Sequence, residues 1–247
     1  SASKGEGAAP DLREHSGAGR RTERFCTRRS LLAIAARATL LALLWAFPLT
    51  ATPADTPAVG PVPEALRQEL RLDRFYQKHI AVAGFPIVGS SNVSDYALSE
   101  AAWILTRMLT GRDDLLRAMA TQHVRLAVMA WNEYTTDLPE QRAMKPRVFW
   151  DRRARGLGGQ VVSCGEENLL GYPNDPYATE NLLIHEFAHA VQHYGLRAVD
   201  PTFAQRLKSA YASATQRGLW QGTYAGTNPS EYWAEAAQSW FDDNREN

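Results

Sequence analysis

The segment His185-Glu186-Phe187-Ala188-His189 sets two imidazoles four residues apart, with a carboxylate directly after the first. On a helix, residues four apart share a face, so His185 and His189 can aim a ring nitrogen at one point. Zinc accepts nitrogen ligands at about 2.0–2.1 Å and keeps one position open in catalytic sites. Glu186 lies about 100° round the helix from His185. That is too far round to bind the same ion, but within reach of a water beside it. Two nitrogen ligands and a carboxylate base are the parts needed to activate water against a carbonyl group. The competing reading is a packing helix that carries histidines. It leaves buried polar groups in need of partners, at about 1–3 kcal/mol for each one unpaired; a metal meets that need.

His193 follows four residues after His189. It lies one turn further on, about 6 Å along the axis. A straight helix cannot bring all three rings to one tetrahedral centre. The spacing also departs from the metzincin pattern, which needs a glycine three residues past the second histidine and a third histidine three further on. Those positions hold Gln192 and Gly195. His193 is therefore expected at the surface or behind the ligands. A third ligand must come from elsewhere. In 223–243, "TYAGTNPSEYWAEAAQSWFDD", Glu231 and Glu235 stand four apart. Alone they would read as a solvated helix face. Beside a two-histidine site, a carboxylate from a second helix is the usual remaining donor.

Taken together, "HEFAH" and "YAGTNPSEYWAE" resemble the gluzincin zinc peptidases, and among them the lethal-factor type of catalytic domain. The resemblance spans roughly residues 180 to 242. It implies His185, His189 and Glu231 as zinc ligands and Glu186 as general base. It also implies Tyr224 as a hydrogen-bond donor to the developing oxyanion, and Glu235 as an outer carboxylate orienting a ligand histidine. The implied activity is hydrolysis of peptide bonds in a peptide or protein substrate.

These residues need elements to position them. Asp175 and Pro176 are suited to cap and begin a helix that runs through the histidines to Gly195. Asn228 and Pro229 do the same for the helix carrying Glu231. Upstream, residues 63–78 fit an amphipathic helix, and "FPIVGSSNVS" a short strand or loop. Ser94 or Asp95 can cap a helix ended by Gly111, and Asp113 and Asp114 start another. "VRLAVMA" (124–130) reads as a buried strand, and "RVFW" (147–150) as a further one. A glycine turn and a short strand in 156–164 are placed beside the cleft, where an extended substrate backbone can pair. The loop "GEENLLGYPND" precedes the histidine helix. The elements and the resemblance imply an α+β, zincin-like fold, mostly helical, with a small mixed sheet beside the active-site helix.

The first 54 residues read as an address. Arginines precede an apolar run, and small residues follow it, the layout of an export signal. "TRRSLL" (27–32) leaves the twin-arginine and general secretory routes both open. The uncharged run 38–49 is too short to span a membrane. Contact with a membrane is therefore expected only through an uncleaved signal, and the protein is expected to be exported, either extracellular or periplasmic. Residues 55–63 read as a linker and 64–247 as the metallopeptidase domain. The chain of 247 residues has zero formal net charge, so no charge excess points to nucleic acid. Its two cysteines, Cys26 and Cys164, give no disulfide framework. Cys164 is expected to be a buried inert thiol. Two other functions fit the same residues: a zinc hydrolase of a non-peptide amide or ester, and a non-enzymatic domain with structural zinc closed by His193 or Cys164.

Overall fold

The apolar run at 124–130 forms the middle of the sheet. The computed structural model describes residues 58–245. One mixed sheet contains β1 (Gly60–Pro61), β2 (Lys78–Val82), β3 (Phe85–Gly89), β4 (Arg125–Met129), β5 (Gly156–Leu157) and β6 (Val161–Gly165), in the order β1-β2-β3-β4-β6-β5. β3, β4 and β6 run parallel; the outer pairings are antiparallel. β4 is buried along its whole length. Leu126 and Val128 enter the larger core on one face, Ala127 and Met129 the smaller core on the other. A strand covered on both faces reads as a continuous apolar run rather than an alternating one.

Nine α-helices complete the described residues: α1 (Glu64–Glu69), α2 (Asp95–Met108), α3 (Asp113–Ala120), α4 (Arg147–Arg153), α5 (Glu166–Leu169), α6 (Leu182–Ala190), α7 (Arg197–Val199), α8 (Phe203–Gln216) and α9 (Pro229–Trp240). α2, α3 and α6 pack their apolar faces on the larger core. Phe187 of α6 meets Phe85 of β3 edge to face, with ring centroids 5.5 Å apart. Both rings are fully buried. This contact, with an aromatic-pair contribution of about 0.5–1.5 kcal/mol beyond area burial, ties the histidine helix to the sheet. The result is the expected α+β fold with a small mixed sheet beside that helix.

Several elements differ from the sequence expectation. The helix expected over 63–78 stops at Glu69, because Arg71 takes a positive φ of 50°. The Arg67 guanidinium then bonds the carbonyls of Asp73 and Tyr76 at 2.8 and 2.7 Å, and the chain returns as β2. Residues 147–150 are helical, not extended. Arg147 reaches one turn ahead to Asp151 at 3.1 Å, a spacing only a helix provides. Gly60 and Pro61, inside the segment expected as a linker, form an edge strand on β2. The loop expected after β6 begins with α5, whose carboxylates are buried. Glu166 accepts from the backbone amides of Ser94 and Trp131 at 2.6 and 3.1 Å. Glu167 pairs with Arg155 at 2.5 and 2.8 Å. The export signal and Cys26 lie outside the described residues. Among the described residues, no helix is long and apolar enough to cross a membrane.

Candidate metal centre

α6 starts later than Asp175 and Pro176 suggest. Asn181 is its cap, accepting from the Ile184 amide at 3.1 Å. Asp175 instead holds Asn168 Nδ2 at 2.8 Å and the Tyr177 amide at 2.9 Å. Gly195 does not stop the helix, which continues past Ala190 as a π-helix (Val191–Leu196). Leu183, Phe187 and Ala190 face the core, which leaves His185, Glu186 and His189 for the cleft. α9 begins as the sequence implied: Asn228 accepts from the amides of Ser230 and Glu231 at 2.9 and 3.0 Å, and Pro229 takes the first turn. Trp233 Nε1 donates to the Ala188 carbonyl at 2.8 Å. This bond fastens α9 against α6 and brings Glu231 over the two histidines.

Three atoms that could ligate a metal converge. His185 Nε2 lies 3.2 Å from Glu231 Oε2 and 3.2 Å from His189 Nε2; His189 Nε2 lies 3.3 Å from Glu231 Oε2. Tetrahedral ligands at about 2.0–2.1 Å from one ion stand about 3.3–3.4 Å from each other. The triangle therefore has the dimensions of one face of a zinc tetrahedron. Among the described residues, no other histidine, cysteine, aspartate or glutamate joins the group. Cys164 is fully buried in the larger core, where burial pushes its thiol up. His193 is exposed, with its Nε2 3.3 Å from Ser230 Oγ. Neither closes the site.

The far nitrogens of the two rings have partners that sequence reasoning missed. Gln238, fully buried, sets Oε1 2.9 Å from His185 Nδ1. Its Nε2 is directed at Glu180 Oε2 and the Asn181 carbonyl, at 3.4 and 3.3 Å. With the amide so oriented, Oε1 accepts from His185 Nδ1–H, and the Nε2 lone pair points at the ligand triangle. Glu235 also faces this nitrogen, but at 3.4 Å. Its other oxygen accepts from Asn244 Nδ2 at 2.8 Å. Behind His189 stands Ser230, with Oγ 3.0 Å from Nδ1. A signal for Gln238 was present in its spacing of seven from Glu231, two turns along the same face.

Opposite charges face each other within the cluster. Hydrogen bonds from His185 and His189 hold the Glu231 carboxyl down at about 2. Burial alone would depress the His185 imidazole, but Glu231 and Glu235 outweigh it and raise it to about 10. Glu186 differs: burial pushes its carboxyl up, against the pull of both imidazoles. It faces a cleft of about 360 Å³ lined also by Trp150, Tyr177, Tyr224 and Arg245. The glycine segment after α4 lies directly on it. A methyl at Gly158 would stand 3.1 Å from Glu186 Oε2 and 3.3 Å from His189 Cβ. The strand bordering the cleft at the sheet edge is β5, not the 161–165 strand, which lies inside the sheet between β4 and β5. Tyr224, in a 3-10 turn (Tyr224–Gly226), sets its ring 6.1 Å from that of His185, tilted by 30°. The Arg245 guanidinium covers the Tyr224 ring at 5.2 Å.

No protein-family model matches the chain, and no curated protein matches it. Among solved structures, it is similar to the PRO-PRO endopeptidase from Paenibacillus alvei, at 27% identity over 62% of this chain and 82% of that one, with a TM-score of 0.41.

Proposed function

We propose that this chain is a zinc-dependent metallopeptidase of the gluzincin type, acting on a peptide or protein substrate. The reading is supported above all by an open three-donor set, His185, His189 and Glu231, with Glu186 beside it in a cleft. Structural zinc sites are closed by four protein ligands, whereas three ligands and a free position are the catalytic pattern. Two imidazoles and a carboxylate suit zinc by donor type. A bound zinc ion supplies a Lewis acid that makes water nucleophilic near neutral pH.

The chain's own residues do the rest. Glu186 takes a proton from the attacking water and passes it to the leaving amine; a carboxyl raised by burial is suited to both halves of that transfer. Tyr224 donates a hydrogen bond to the carbonyl oxygen as negative charge grows there. Gln238 and Glu235 orient His185 from behind. β5 offers an edge to an extended peptide backbone. Residues 1–54 direct the protein outside the cytoplasm. Contact with a membrane is limited to that segment, and nucleic acid is not a partner.

The experiment is metal analysis of the purified protein alongside digestion of a peptide library, with and without chelator. The proposal expects about one zinc per chain and cleavage that chelator abolishes. Glu186→Gln should keep the zinc and lower the rate by about 10²–10⁴-fold. Zinc-loaded protein that cleaves no peptide would exclude proteolysis and leave a non-peptide amide or ester as substrate.

A further inference from the structure

The two ligand histidines are backed differently. His185 Nδ1 meets the carbonyl oxygen of Gln238, which can only accept. His189 Nδ1 meets the Ser230 hydroxyl at 3.0 Å, which can accept or donate. The direction of that bond matters. If Ser230 donated to Nδ1, the ring proton would sit on Nε2, the atom that faces Glu231 and His185. That tautomer has no lone pair to give a metal.

A third group decides the direction. Gln192 Oε1 lies 3.0 Å from Ser230 Oγ, nearer than His193 Nε2 at 3.3 Å, so the Gln192 oxygen is the better-placed acceptor of the hydroxyl proton. Gln192 is three residues past His189, so it stands on the same side of the helix. A hydroxyl has a single proton. Once that proton goes to Gln192 Oε1, the Ser230 oxygen has only lone pairs left for His189.

We infer that Gln192 and Ser230 together fix the tautomer of His189, as positioning residues for the metal site. Ser230 gives its proton to the Gln192 carbonyl and accepts from His189 Nδ1–H, leaving Nε2 free for the metal. The inference rests on the metal reading above. It assigns work to Gln192 and Ser230, neither of which belongs to the donor set of His185, His189 and Glu231. The helix start does not depend on the Ser230 side chain, since Asn228 bonds the Ser230 backbone amide. Ser230→Ala therefore leaves the cap in place.

The test is zinc affinity, measured by competition with a chromophoric chelator, on the full chain and on Ser230→Ala, Ser230→Thr, Gln192→Leu and the Ser230→Ala/Gln192→Leu double variant. Circular dichroism checks that each is folded. Ser230→Ala should weaken zinc binding about 10–100-fold, the usual cost of losing such a partner. Ser230→Thr, which keeps the hydroxyl, should recover most of the loss. Gln192→Leu should weaken binding on its own, yet add nothing in the Ser230→Ala background, because Gln192 acts through Ser230. Additive losses, or wild-type affinity in either single variant, would overturn the inference while leaving the metal site intact. A wild-type chain that binds no zinc would overturn both. If Ser230→Ala fails to fold, the Gln192→Leu affinity decides alone: unchanged binding sinks the inference.

Discussion

Gln238 Oε1 stands 2.9 Å from His185 Nδ1, closer than the nearest oxygen of Glu235 at 3.4 Å. A neutral, fully buried amide is thus the nearest partner of His185. Gln238→Ala should weaken zinc binding about 10–100-fold. Chelator competition measures this. Unchanged affinity would mean that Glu235 alone orients the ring.

The cluster predicts two pH windows for stability. His185, raised to about 10 from 6.5, stabilises the fold fully below about 6.5, and that contribution is lost as pH climbs towards 10. Glu231, lowered to about 2 from 4.5, stabilises it above about 4.5, and that contribution is lost as pH falls towards 2. After chelation, the melting temperature should therefore decline on both sides of the interval between them. Zinc loading should remove much of the alkaline decline, since the cation takes the place of the proton on His185. Thermal melts across pH, with and without zinc, check this. A chelated protein whose melting temperature is flat from 6.5 to 10 would contradict it.

Gly158 tests whether Glu186 is held in place for chemistry. Alanine there sets a methyl 3.1 Å from Glu186 Oε2, tight enough that the carboxylate must shift. Gly158 does not need a positive φ, so the backbone tolerates the change. Gly158→Ala should lower kcat by about 10-fold or more while zinc content stays the same, because small misplacements of a catalytic group are costly. Wild-type kcat would show that Glu186 is not constrained from this side.

Much of the site was legible because its spacing rules are local. His185 and His189 share a face through a single helical turn, and Asn228-Pro229 marks a helix start by its own chemistry. Phe187 and Ala190 fixed which side faces the core. The remainder depended on pairs distant in sequence. Gln238 and Ser230 are ordinary polar residues until α9 crosses α6, and only that crossing brings them to the imidazoles. The α6 start departs from the sequence expectation because Asp175 and Asn181 are both good caps; Asn168, which engages Asp175 from the preceding helix, leaves Asn181 to cap α6. Residues 147–150 have a strand's composition, but the Arg147–Asp151 bond favours one helical turn. Burial of Glu166 and Glu167 was invisible for the same reason: their partners, Ser94, Trp131 and Arg155, lie on other segments.

In the proposed site, two imidazoles of α6 and one carboxylate of α9 hold a single ion with a position left open. An anomalous difference map at the zinc edge, from crystals of the zinc-loaded chain, tests this most directly. One peak is expected, bonded by His185 Nε2, His189 Nε2 and a Glu231 oxygen, with no fourth protein ligand. A peak elsewhere, a Glu231 carboxylate turned away from it, or a fourth side chain closing the site would contradict it.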